Sequence, residues 1–122
     1  MATFNAQDGK GALVTAAVTI ANGTALSPAV DLTAYTLVAI QLPAGWTAAG
    51  LTFQAANDNQ NFGDVYDKTG EYAFAAVDVN RLLVCDPSAF AGIRYLKIRS
   101  GTGAAPVNQG ADRVLTLVLR GL

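Results

Sequence analysis

The chain has no histidine, a single cysteine and few charges, and each shortage removes a class of function. Without histidine, the Ser–His and Cys–His pairs of nucleophilic catalysis have no base. Imidazole ligands for zinc are missing too, and one thiolate cannot form a metal cage. Cys85 alone makes no internal disulfide, so nothing here requires an oxidising compartment. It sits in the apolar run RLLVCDP and reads as a small core residue. Charged residues make up 14% of the 122, against roughly 25% in soluble domains generally. A net charge of -1 offers no electrostatic attraction to nucleic acid or an anionic membrane. No run approaches the roughly 18 apolar residues of a membrane span. The opening MATFNAQDGKGALVTAAV lacks the cation-then-apolar order of a secretory signal. These shortages predict a protein that is not an enzyme and carries no metal or cofactor.

What is present is apolar, 52% of the chain, and it is cut into short pieces. Residues 1–12 are small, polar and glycine-bearing, which predicts an extended N-terminal arm ahead of a domain at 13–122. AAVTIANGTAL alternates Val18 and Ile20 with threonines, and Asn22-Gly23 signals a hairpin turn. In AYTLVAIQLP, strict alternation puts Val38, Ile40 and Leu42 on one face and Tyr35, Leu37 and Ala39 on the other. LTFQAAN turns Leu51, Phe53 and Ala55 inward. VYDKTGEYAFAAV reads as two strands joined at Thr69-Gly70, and SAFAGI holds a single helical turn. DRVLTLVLRGL sets Leu115, Leu117 and Leu119 against Val114, Thr116 and Val118. Short strands, regular turn signals and no helical periodicity predict an all-β, single-domain β-sandwich.

Several stretches invite chemistry, and each has a plainer reading. Asp64 and Asp67 could serve as a carboxylate pair, but aspartate favours turns for local hydrogen-bonding reasons. NDNQNFGD is rich in oxygen ligands, yet Phe62 falls where an EF-hand needs a donor, so a polar turn is expected. Gly101, Gly103 and Gly110 lack the lysine-serine pair of a phosphate loop and predict a flexible loop. Trp46, Phe62, Tyr66 and Tyr95 could form an aromatic platform for a sugar or a protein.

Three segments, 35–42, 93–100 and 113–120, carry apolar side chains on both faces. A two-layer sandwich wets one face of each strand, and no helix pattern is available as a third layer. The expectation is a covering neighbour, because large interfaces deplete charge and keep arginine and aromatics. Tyr35, Trp46, Ile93, Tyr95, Lys97 and Arg99 are the candidate interface residues. Trp46 would be an anchor in a glycine-flanked loop, and Lys97 and Arg99 would lie at the rim. Leu96 and Ile98 should face the domain's own core.

Two resemblances add to this. Asn57-Asp58 followed by Phe62, and Arg94-Tyr95-Leu96-Lys97 near the end, resemble the discoidin or galactose-binding-like jelly roll over about residues 30–122. The Ala/Thr/Gly-rich composition, the absent histidine and the VNQGADR…LVLR ending resemble small tailed-bacteriophage virion proteins. The second resemblance implies a capsid decoration (cement) protein on the virion surface, made in the host cytoplasm. It would form a homo-oligomer, a trimer, and clamp major capsid protein subunits. The first implies an alternative, a carbohydrate-binding module of a phage fibre or adsorption apparatus.

Overall fold

The computed structural model describes residues 12–122, the side chain of Ala76 excepted. The arm expected over residues 1–12 thus falls, but for its last residue, outside the described residues. The alternating segments form β1 (Leu13–Ile20), β2 (Val30–Asp31), β3 (Tyr35–Gln41) and β4 (Ala49–Ala56). After the polar turn come β5 (Gly63–Asp64), the hairpin β6 (Tyr66–Asp67) and β7 (Gly70–Glu71), and β8 (Phe74–Val77). The chain then makes β9 (Leu82–Val84), one helical turn α1 (Pro87–Phe90), β10 (Tyr95–Ser100) and β11 (Arg113–Gly121). The single helical turn expected in SAFAGI is present and starts one residue earlier, at Pro87. Asp86 caps it by accepting from the Ser88 amide at 3.1 Å, and Pro87 supplies a preset φ.

One sheet has the order β1-β11-β3-β9, and the second runs β2-β10-β4, with β5 and β8 both along the outer edge of β4. All pairs are antiparallel. The two sheets close on a single core and make a β-sandwich. Leaving out the β5–β7 insertion, the strands have jelly-roll connectivity. Asn22-Gly23 is therefore not the hairpin that its dipeptide signals. β1 pairs with β11 and β2 pairs with β10, so this turn is a corner between sheets. Asp112 accepts the Asn22 amide at 2.8 Å, and the Gln109 carbonyl accepts that of Gly23 at 2.9 Å.

Inward rows from both sheets meet in the core. Val18, Ile20, Leu115 and Leu117 come from one, and Leu51, Phe53, Leu96 and Ile98 from the other. Phe90 stands edge-on to Phe53 at 5.2 Å between centroids and to Tyr72 at 5.3 Å, closing one end. Such tilted contacts bring ring edges to ring faces and add to plain burial.

A bulge removes the two-faced character of residues 35–42. Leu119 pairs with Leu37, but Val118 pairs with Ala39, so Val38 is an extra residue. A bulge shifts the side-chain alternation by one. Leu37 therefore joins Ile40 and Leu42 in the core, all three at 1% exposure or less. Tyr35 packs against the same cluster. Val38 is only half-buried, so the strict alternation expected across this strand fails at that residue.

Candidate functional site

The second face of β10 is covered by the chain itself. Asp64 on β5 and Thr52 on β4 share the outer side of that sheet with Lys97 and Arg99, because paired residues in a ladder point the same way. Arg99 is buried and makes three side-chain contacts there. Its Nε donates to the Thr52 hydroxyl at 2.9 Å, and its terminal nitrogens donate to Asp64 and Glu71 at 2.7 Å each. The Thr52 hydroxyl in turn donates to the Gly101 carbonyl, and Glu71 also accepts from the Gly103 amide at 3.0 Å. A Cβ on Gly103 would come within 2.5 Å of the Asp64 carboxylate, so a larger residue there would make that side chain shift away from its place beside Arg99. The Arg99 guanidinium holds the Asp64 carboxyl below its usual range, chiefly through the hydrogen bond. Next along the row, the Lys97 ammonium lies 4.3 Å from the centroid of the Phe62 ring.

These contacts correct two of the expected interface positions. Arg99 is not at a rim, since it is 5% exposed and neutralised inside its own chain. Trp46 is not an exposed anchor, since its ring is 3% exposed within the core cluster. Its indole N–H meets no acceptor among the described residues. The remaining candidates, Tyr35, Ile93, Tyr95 and Lys97, are half-buried. Tyr35 and Ile93 pack on the core, while Tyr95 and Lys97 lie on the outer face of the β2-β10-β4 sheet. The structure does not gather the six into one surface.

Gln109, which no sequence pattern marks, organises the end of the sandwich near Trp46. It is 1% exposed. Its amide nitrogen donates to the Thr47 carbonyl at 3.1 Å and the Ser100 hydroxyl at 2.7 Å. Its oxygen accepts from the Thr47 amide and from Arg113 Nε. The loop after β10, expected to be flexible, is bonded along its length. Gly101 donates to Gly50, Val107 to Ser100 and Gln109 to Thr24. A lone glutamine in a glycine-rich loop has no periodicity to betray it.

Asp58 and Asp67 are engaged locally. Asp58 accepts the amides of Asn61 and Gln60 and the Asn61 side chain, which pulls its pKa down to about 2. That is the polar-turn arrangement, completed by Asn59 at φ 57, a conformation asparagine tolerates well. Asp67 accepts the hydroxyl and amide of Thr69 in the β6–β7 turn. Clefts lie at two places among the described residues. One of about 350 Å³ is lined by Ala55, Ala56, Asn57, Asn61 and Ile93. The other, about 380 Å³, is lined by Ala48, Ala49, Phe74 and Thr102. Neither lining includes an ionisable side chain. Burial pushes the Cys85 thiol up to about 12, so it stays protonated.

Among the described residues, an unusual surface is the outer face of the β1-β11-β3-β9 sheet. Register places Leu13, Thr15, Ala17 and Thr19 of β1 beside Arg120, Val118, Thr116 and Val114 of β11. Gln41 and Ala39 continue the face to Leu82 and Val84 at the far edge. Val84 is 74% exposed, Leu82 54% and Val114 50%. Arg120 is the single charged residue among these twelve positions. Exposed apolar side chains gathered on one face, unlike scattered ones, mark interaction surfaces.

No family model and no curated protein matches the chain. Among solved structures, the crystal structure of SPBc2 prophage-derived protein YomS is similar, with a TM-score of 0.55 at 13% identity. The match spans 88% of this chain and 95% of that one. This likeness shows a shared fold.

Proposed function

We propose that this protein is a structural component of a tailed-phage particle, a capsid decoration (cement) protein on the virion surface. It works by burying surface against major capsid subunits and sister copies, without chemistry. The observation that carries this reading is the nearly uncharged outer face bearing Leu13, Val114, Leu82 and Val84. The carboxylates add support, since Asp58, Asp64 and Asp67 each serve a turn or an ion pair. The shared fold with a prophage-derived protein supports a phage-related origin. A sugar platform on Trp46 finds no support, because the ring is enclosed.

Co-sedimentation with heads of the phage that encodes the protein tests the proposal. Val84→Asp and Val114→Asp change exposed positions and should leave the fold intact by circular dichroism. Each should weaken head binding at least about tenfold, the effect of a desolvated charge in an interface. Binding by both variants equal to that of the wild type would overturn the assignment of this face. Failure of the wild type to bind heads would overturn the decoration role.

A further inference from the structure

The long edge of the same sheet is built to pair with a copy of itself. β1 ends the β1-β11-β3-β9 sheet, so one of its sides has no strand beside it among the described residues. Residues of an antiparallel strand alternate between bonding one neighbour and turning away from it. Gly121 donates to the Ala12 carbonyl at 3.0 Å, and Leu13 pairs with Arg120. The even-numbered residues of β1 therefore bond β11. Leu13, Thr15, Ala17 and Thr19 turn their N–H and C=O groups to the open side.

Natural edge strands carry charges, prolines or bulges, or are kept short, to prevent such pairing. β1 has none of these devices. It runs for 8 residues, its register with β11 is unbroken, and it contains neither proline nor a charged residue. The opposite edge, β9, is only 3 residues long. Head-to-tail growth of the sheet from β1 onto β9 of the next copy would thus leave most of β1 unmatched. Two copies of β1 match each other fully.

We propose that the protein forms a two-fold dimer through antiparallel pairing of β1 with β1 of a second copy, centred on Ala16. That centre sets Leu13 against Thr19 and Thr15 against Ala17 of the partner copy. Every outward N–H and C=O then finds a partner, roughly eight hydrogen bonds in all. A centre on Ala17 would leave Leu13 facing beyond the strand end. Side chains agree with the Ala16 centre. Ala16 meets its own mate, small against small, and Val14, 37% exposed, is covered by Val18 of the other copy. No like charges meet across the axis. An isologous contact of this kind closes at two copies, in place of the trimer that the virion resemblance implies.

Light scattering on the full chain, free of any capsid, reads the outcome apart from head binding. A dimer is expected at high chain concentration. Ala17→Pro removes an N–H that β11 does not use, and should raise the dimer dissociation constant at least about tenfold while the monomer stays folded. In a Cys85→Ala background, Ala16→Cys should form a disulfide-linked dimer on mild oxidation, because self-opposed residues lie within bridging distance. Ala17→Cys should do so much less. Should proline perturb the strand, amide exchange of wild-type Leu13, Thr15, Ala17 and Thr19 gives a second reading. Protection that rises with concentration supports the pairing. A monomer throughout, a trimer, a dimer untouched by Ala17→Pro, or protection independent of concentration would each overturn it.

Discussion

Arg99 and Glu71, 28 residues apart in sequence, meet at 2.7 Å beneath the loop that follows β10. Side-chain exposure is 6% for the arginine and 17% for the glutamate, so this pair is shielded from water. Asp64, on the other arm of the guanidinium, is 36% exposed. Removing one partner of a buried pair leaves an uncompensated charge, whereas exposed pairs contribute little. Glu71→Ala should therefore cost about 3 kcal/mol, and Asp64→Ala about 1 kcal/mol or less. Urea denaturation midpoints would show the ranking. Equal small losses would mean that the guanidinium is solvated in both variants.

Asp58 and Asp64 make stability depend on acid pH. Asp58 titrates at about 2 when folded, because backbone amides hold its charged form, against about 3.9 in an unfolded chain. Asp64 is lowered as well, by Arg99. A carboxylate depressed on folding contributes stability above its unfolded value and loses it as pH falls through the folded one. Stability should thus fall between about pH 4 and pH 2. Asp58→Asn should make that fall shallower. Wild-type and variant stability curves that run parallel over this window would contradict the assignment.

Trp46 offers a test of core against surface. A buried tryptophan cut to alanine leaves a large cavity, so Trp46→Ala should cost about 3–5 kcal/mol. Its melting temperature should drop well before any effect on assembly is seen. A variant as stable as the wild type would return Trp46 to the surface. Trp46→Phe should retain much of the stability, since the indole N–H has no acceptor to lose among the described residues.

Neighbours on β10 should differ as sharply. Leu96 is wholly buried in the core, and Tyr95 is half-buried on the opposite face. Leu96→Ser loses apolar burial and places a hydroxyl in the core, which should cost about 3 kcal/mol or more. Tyr95→Ser should cost about 1 kcal/mol, in the range of a partly exposed site. Thermal unfolding of the two variants separates them, and equal damage would mean that the outer face is as dry as the inner one.

The all-β class, the shared face of Leu115, Leu117 and Leu119, the inward Leu96 and Ile98, and a helical turn within SAFAGI are legible in the sequence. Period-two alternation, turn dipeptides and a capping aspartate act over a few residues, so they can be read locally. Position in the sandwich is another matter. Asn22-Gly23 looks the same in a hairpin as at a corner, and only the pairing of β1 with β11 and β2 with β10 decides between them. Val38 is extra only because β11 passes it without a partner. Arg99 on a strand suggests a rim until Asp64 and Glu71 arrive from the β5–β7 insertion to neutralise it. Gln109 matters only because Thr47, Ser100 and Arg113 converge on it. Burying a polar group costs free energy unless partners surround it. The Arg99 partners Thr52 and Glu71 lie 47 and 28 residues away, and Thr47 lies 62 from Gln109, so tertiary structure decides which polar side chains go inside.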